Sequence, residues 1–230
     1  MARKKSVIIL GASRGLGLAL AEEYCVVDYE VVATVRTPSP ALEQLHERFP
    51  SSLQIKSADT TDPDSIARLK DEFQESEFDT LFVNAGICIA KDNTPIDVAE
   101  SDFVALMLTN ALSPMRVIEA LQALVVADGT IAVMSSGQGS VTNNTRGGFE
   151  IYRASKSALN QLMRSFAARH ADDPRTLLLM APGWVQTGLG GPRAPLTVDQ
   201  SIPGVVNTIE AQAGKGGLQY LDYQGRTVSW

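Results

Sequence analysis

Short apolar runs alternate with longer helix-periodic stretches along this chain, and that alternation admits few folds. Val7-Ile8-Ile9-Leu10 and Val31-Val32-Ala33-Thr34-Val35 lack polar alternation, so each reads as a strand covered on both faces. Leu53-Gln54-Ile55, Thr80-Leu81-Phe82-Val83 and residues 130–134 and 176–180 continue the series, and residues 218–221 read as a last edge strand. Helices are expected over residues 15–27, from Pro38 and Pro40 to residue 49, from Pro63 onward, in one or two segments of 99–127, over 152–171 and over 198–212. Asp62-Pro63 has the form of an N-cap followed by proline at the first helical position. Buried strands joined by helices predict an α/β chain with a doubly wound parallel sheet of about seven strands and helices on both faces. No repeat, low-complexity tract or linker interrupts the 230 residues, so one domain over residues 1–230 is expected.

Composition excludes several classes of function. Hydrophobic residues make up 44%, enough for a sizeable core. Mean hydropathy is close to zero and no apolar run approaches a bilayer's thickness, so no membrane partner is expected. The basic start Met1-Ala2-Arg3-Lys4-Lys5 is followed only by a short apolar run, Val7 to Leu10, before Gly11. That is too short for a signal-peptide core and reads as a solvated lead-in to the first strand. A net charge of −6 argues against a nucleic-acid partner. Cys25 and Cys88 have neither metal-ligand spacing nor a disulfide framework, so no metal is expected and a reducing cytoplasm is the expected setting. His46 and His170 lie in charged or polar stretches and read as surface residues, which leaves little room for chemistry built on several histidines.

Gly11-Ala12-Ser13-Arg14-Gly15-Leu16-Gly17 joins the first strand to the first helix. Such a turn aims backbone N–H groups and the positive end of a helix at a phosphate, and glycine lets the chain turn tightly and the phosphate come close. The spacing G-x-x-x-G-x-G meets the usual dinucleotide pattern G-x-G-x-x-G only in part. The same residues match the Gly-x-Ser-x-Gly nucleophile elbow of α/β-hydrolases, but that elbow follows earlier strands and an oxyanion loop, and here only ten residues precede it. NAD-binding chains of this kind carry an acid at the end of the second strand, roughly 20 residues after the turn. Here the strand ends Val35-Arg36-Thr37, and Arg36, with Arg14, stands where a 2′-phosphate would lie. A guanidinium grips phosphate through two parallel hydrogen bonds, which favours NADPH over NADH.

Far downstream, Tyr152-Arg153-Ala154-Ser155-Lys156 places a lysine four residues after a tyrosine on a helix, so the two share a face. A phenol has an unperturbed pKa of roughly 10, and a nearby ammonium is expected to lower it. The pair would exchange protons without histidine.

In this order, these residues resemble the short-chain dehydrogenase/reductase family over nearly the whole chain, from Val7 to about Trp230. The glycine turn has the family's spacing, with Leu10 in place of the usual Thr. Asp59, followed by Thr60, stands where the family's Asp meets adenine, and Asn84-Ala85-Gly86 looks like its cofactor-side segment. Asn110 falls in the helix of the family's catalytic Asn, and Ser136, rather than Ser135, matches its Ser-x-x-Gly pattern. Tyr152 and Lys156 complete the set. Pro182-Gly183-Trp184-Val185-Gln186-Thr187 resembles the stretch along the nicotinamide, with Pro182, Gly183, Val185 and Thr187 as contacts. The C-terminal half is most similar to C-factor/sniffer-type carbonyl reductases.

The resemblance implies a Rossmann-type sheet and hydride transfer between NADP(H) and a small carbonyl or alcohol substrate. Tyr152 would be the proton donor, Ser136 a hydrogen-bond donor to the substrate oxygen, Lys156 the group that lowers the tyrosine pKa and holds the ribose, and Asn110 the support of a water leading to solvent. Ile87, Cys88, Phe149 and Trp184 are candidate pocket residues, and residues 139–149 and 188–195 candidate loops beside the site. A homodimer or homotetramer is implied as well, with Ala154, Ala158, Leu162 and Phe166 available for contact. Two rivals remain open at this point: a non-catalytic NADP(H)-binding regulator, and an NADP(H) enzyme acting on a C=C bond or an epimer.

Overall fold

The computed structural model describes residues 3–230; Met1 and Ala2, at the head of the basic N-terminal stretch, lie outside it. Its seven strands form one sheet in the order β3-β2-β1-β4-β5-β6-β7, every neighbouring pair parallel. The strands are β1 (Ser6–Leu10), β2 (Glu30–Val35), β3 (Leu53–Ser57), β4 (Phe78–Val83), β5 (Val125–Met134), β6 (Thr176–Ala181) and β7 (Gly217–Asp222). The helices are α1 (Gly15–Val26), α2 (Pro40–Arg48), α3 (Pro63–Glu72), α4 (Glu100–Met107), α5 (Ser113–Leu121), α6 (Glu150–Arg169) and α7 (Val198–Gln212). This is the doubly wound Rossmann-type architecture expected from the alternation of runs.

Side chains on each strand point alternately to the two faces, and each face has its own core. Ile8, Leu10, Leu81, Val83, Ile131 and Leu179 pack with Ile66, Ile118, Leu159 and Phe166 of α3, α5 and α6. Val7, Ile9, Phe82, Ala132, Leu178 and Met180 pack with Leu20, Leu42, Val205 and Ile209 of α1, α2 and α7. A continuous apolar run is thus what a strand between two helical layers requires. The caps follow the sequence too: the Asp62 carboxylate accepts from the Asp64 N–H, and Thr197 and Gln200 form a reciprocal capping box at α7.

Several expectations need correction. Residues 125–127 extend β5 rather than ending a helix. The rest of that region agrees with the one or two helices expected: residues 100–124 form one helical run, α4 and α5 joined by a π-turn at Leu108–Leu112. An 18-residue stretch of this run, of mean hydropathy 1.3, is long and apolar enough to cross a membrane, but half of that stretch is buried inside the fold, where Leu106, Ala111, Met115 and Ile118 turn inward. Arg3, Lys4 and Lys5 are ion-paired to Asp79, Asp28 and Glu210 rather than simply solvated. His46 and His170 are half-buried, and each ring bonds a backbone carbonyl, of Leu53 and Phe166 respectively. Phe166 is fully buried in the core, which removes it from any subunit contact; Ala154 and Leu162 face outward.

Candidate active site

Strand order reverses between β1 and β4, so the connections leaving these strands diverge and open a crevice at their C-terminal ends. The glycine turn leaves β1 there. Gly11 has φ +91°, and a Cβ on it would come within 2.9 Å of Ala85. Its N–H donates to Thr34 Oγ1 at 3.1 Å and that of Ala12 to the Thr34 carbonyl at 2.8 Å, so neither is free for a ligand. The free donors come next. Arg14 caps α1 without a side-chain hydrogen bond and no acid sits in the first turn, leaving the N–H groups of Gly15, Leu16 and Gly17 without a side-chain cap. An anion completes such a helix end, so these residues fit a nucleotide phosphate. The Ser13 carbonyl accepts from Ser39 Oγ at 2.6 Å, which ties the turn to the start of α2.

Around this cradle the structure gathers most of the expected residues. Asn84 Nδ2 donates to the Gly11 carbonyl at 2.7 Å, and the Ala85 N–H to Leu10 at 2.9 Å. A Cβ on Gly86 would lie 3.3 Å from Asn110 Oδ1 and 3.5 Å from Lys156 Nζ, so the segment after β4 links the cradle to α6. Across the crevice, a Cβ on Gly15 would lie 3.8 Å from the Thr187 side chain. The stretch before Thr187 is anchored by the Pro182 carbonyl, which accepts from Ser201 Oγ at 2.7 Å, and by the buried Val185; Gly183 has φ +83°. Arg14 and Arg36 are exposed. Burial raises the Asp59 carboxyl, but hydrogen bonds from Thr61 and the charge of Arg36 outweigh it and hold the group below its ordinary range. Arg36 and Asp59 therefore sit together beside the half-buried Thr60, beyond the ends of β2 and β3.

The proton-handling group forms where β5 and α6 meet. Ser135 is buried and donates to Asn160 Oδ1 at 2.6 Å, which spends its hydroxyl on structure. Ser136 Oγ accepts from the Gln138 N–H at 3.1 Å, which leaves its own proton free to donate. Burial pushes the Tyr152 phenol up to about 12, with Ser136 pulling it down and Cys88 and Tyr220 pushing further up. Burial brings the Lys156 ammonium down to about 8, against the opposing effect of Cys88. Lys156 Nζ donates to the Met134 carbonyl at 2.9 Å. The expected acidification of Tyr152 by Lys156 is thus missing from the chain by itself: the two share a helix face, but the ammonium is held by a carbonyl and desolvation dominates the phenol.

Asn110 lies in the π-turn, a feature often found at functional sites. Its side chain bonds the Ile87 N–H and carbonyl, each at 2.8 Å, and Ser155 Oγ at 3.0 Å. Ser155 in turn donates to the Tyr152 carbonyl at 2.7 Å. The Asn110 amide therefore ties the loop after β4 to the first turns of α6 and makes no direct bond to Lys156. Ile87 and Cys88 pack against the small cluster of Leu106, Ile151 and Tyr152. Trp184 and Phe149 are exposed, the indole N–H donating to the Gly190 carbonyl at 2.7 Å. Lys91 Nζ donates to the Leu189 carbonyl at 2.9 Å and so joins the segment after β4 to the loop of residues 188–195. A cavity of about 790 Å³ lies beside the start of α6, between Val98, Phe103, Val141 and Ala154, but neither Ser136, Tyr152 nor Lys156 lines it. The Met134 carbonyl had no signal in the sequence, since no residue type announces it; Cys88 was named as a pocket residue, but its coupling to Tyr152 and Lys156 depends on the path of a loop.

A nucleotide cradle at the reversal of a parallel sheet, facing a Ser, Tyr and Lys group, defines a Rossmann-type dehydrogenase. The chain belongs to the short chain dehydrogenase family, whose profile matches residues 5–195. It is 35% identical over 158 residues to C-signal from Myxococcus xanthus, covering 66% of this chain and 92% of that one. A Burkholderia multivorans protein crystallised with bound NADP shares 51% identity at a TM-score of 0.98, covering 99% of this chain and 100% of the other. A carbonyl reductase from Pseudomonas aeruginosa PAO1 in complex with NADP shares 36% at 0.93, with 99% and 100% covered. Carbonyl reductase Sniffer of D. melanogaster shares 28% at 0.87, with the same coverage. The C-factor and sniffer likeness read from the sequence thus recurs among its relatives.

Proposed function

We propose that this chain is an NADP(H)-dependent carbonyl reductase, and the observation that carries the proposal is the meeting of Ser136, Tyr152 and Lys156 beside the glycine cradle. Bound NADPH supplies the hydride; the protein orients the substrate and manages the proton. A phenol with a pKa near 12 is protonated at neutral pH, the form needed to donate to a carbonyl oxygen. Ser136 directs its free hydroxyl proton at the same oxygen and stabilises the charge that develops there. Lys156 holds the ribose and places a positive charge by the tyrosine as it loses its proton. Asn110 fixes α6 against the loop after β4 and, by family likeness, supports a water leading from Lys156. Gly11, Ser13, Arg14, Gly15, Leu16 and Gly17 would surround the pyrophosphate, Asp59 and Thr60 the adenine, Asn84, Ala85 and Gly86 the adjoining ribose, and Pro182, Gly183, Val185 and Thr187 the nicotinamide. A pure NADP(H) sensor has no need of a complete proton-transfer group, which disfavours the regulatory reading. The outward Phe103, Val104 and Leu112 on α4 and its continuation, with Leu162 on α6, support a homodimer. The free thiols of Cys25 and Cys88 suit a cytoplasmic setting.

The test is loss of NADPH absorbance with a panel of aldehydes and ketones; binding without turnover on any of them contradicts the proposal. Two further outcomes are expected. Arg36→Ala should weaken NADPH about ten- to a hundredfold, the worth of a charge-assisted bond to the 2′-phosphate, and leave NADH unchanged. Titration of NADPH into the variant checks this, and equal affinities for both nucleotides in the unmodified chain would rule it out. The second concerns pH. Burial lowers Lys156 to about 8, so the ammonium is present below that pH and lost above it. The kcat/KM for reduction should therefore hold below this point and fall above it, approaching tenfold per pH unit; a profile flat from about pH 7 to 10 counts against the role of Lys156.

A further inference from the structure

Tyr220 lies on the edge strand β7 and is only 1% exposed, yet its hydroxyl donates to the Ser136 carbonyl on the far side of β6. The Gly139 N–H donates to that same carbonyl at 2.8 Å. The Tyr220 ring meets the Trp230 ring at a centroid separation of 5.6 Å, and the Val228 N–H donates to the Tyr220 carbonyl at 2.8 Å. The Trp230 carbonyl in turn accepts from the Thr142 N–H at 3.0 Å, while the Arg164 guanidinium of α6 lies 4.6 Å over the indole. Residues 228–230 therefore touch β7, the helix that carries Tyr152 and Lys156, and the loop that follows Ser136. Packing alone does not ask for the Tyr220 oxygen, since phenylalanine fills the same space; a buried hydroxyl is tolerated where it has a partner, and here it donates to the Ser136 backbone with the Ser135 and Asn160 side chains beside it.

We propose that Tyr220 and Trp230 form a strap that sets Ser136 against Tyr152, which makes Tyr220 a positioning residue acting through Ser136. The catalytic side of this inference rests on the reductase reading. Its test is Tyr220→Phe, made in the unmodified chain and in Ser136→Ala. In the unmodified chain kcat should fall about tenfold, since small misplacements of a reacting group are costly, with KM for NADPH unchanged. In the Ser136→Ala background the same change should cost nothing further, because the group it positions is gone. A general structural defect would lower kcat by the same factor in both backgrounds, and that result, or full activity of Tyr220→Phe, overturns the strap. Amide hydrogen exchange gives a readout independent of turnover. Trp230→Ala should speed exchange at Thr142, and Tyr220→Phe at Gln138 and Gly139; unchanged exchange overturns the inference even in a chain that reduces no carbonyl. Absence of turnover in the unmodified chain together with faster exchange refutes the reductase reading and leaves the strap standing.

Discussion

Tyr152→Phe is expected to lower carbonyl reduction by about a thousandfold or more while NADPH affinity stays within about tenfold. The substitution removes one oxygen and keeps a ring that packs with Leu106 and Ile151, so the fold has little to lose. The phenol lies beside Ser136 and holds its proton at neutral pH: burial raises it to about 12, and Ser136 pulls against that rise. Without it, hydride transfer must leave an alkoxide supported by Ser136 alone, and a positioned general acid is commonly worth 10²–10⁴-fold. Steady-state kinetics with the best carbonyl of the panel, paired with NADPH titration, separate the chemistry from binding. Retention of more than about a tenth of wild-type kcat would remove Tyr152 from proton transfer.

The sheet was legible because each strand is covered on both sides and so shows as an unbroken apolar run; Val7 to Leu10 divides its side chains between two cores and spares none for water. The edge strand β7 was legible for its interior residues, and Asp62-Pro63 marked the start of α3 to the residue. The 99–127 region was less so. Residues 125–127 are strand because the edge of β4 draws them in, with Val125 opposite Phe78, and local periodicity carries no record of that neighbour. The π-turn at Asn110 leaves no mark in composition. At the site, the glycine turn and the Tyr–Lys spacing are local patterns and could be read directly. The state of the protons could not: that Lys156 Nζ is held by the Met134 carbonyl, and that burial outweighs the ammonium at Tyr152, depends on what closes over the helix from another strand. The Ser-x-x-Gly pattern pointed to Ser136 over Ser135, but the physical difference shows only in the folded chain: Ser135 spends its proton on Asn160, whereas Ser136 Oγ accepts from the Gln138 N–H.

The largest structural effect is expected at Gly17, where Gly17→Ala should lower both stability and nucleotide affinity. A Cβ at this position would lie 2.0 Å from the Gly11 carbonyl oxygen and 2.5 Å from Asn84 Nδ2, the two atoms that share a 2.7 Å hydrogen bond. The first is a backbone atom and cannot swing aside, and Asn84 Nδ2, though a side-chain end, can move only by giving up its bond to that carbonyl. The carbonyl belongs to the turn itself, and Gly11 is already pressed to within 2.9 Å of Ala85 at its own Cβ position, so it cannot retreat. The relief left is for α1 to move away from β1, which breaks the Asn84 bond and opens the packing around Leu20 and Ala21. Overpacking of this kind costs about 1–3 kcal/mol, and a chain of this size loses about 2–4 °C of Tm for each kcal/mol. A drop of about 5–10 °C by thermal denaturation is the expected result. Binding should suffer more than stability, because the N–H groups of Gly15, Leu16 and Gly17 must converge on one phosphate and the displaced helix carries all three; a weakening of NADPH by about a hundredfold corresponds to two lost charge-assisted contacts. Gly188→Ala is the matched control: a Cβ there meets nothing within 4 Å, so stability should stay within about 0.5 kcal/mol of the unmodified chain. If both alanine variants melt alike, the close approach of α1 to the turn is not what holds the cradle in shape.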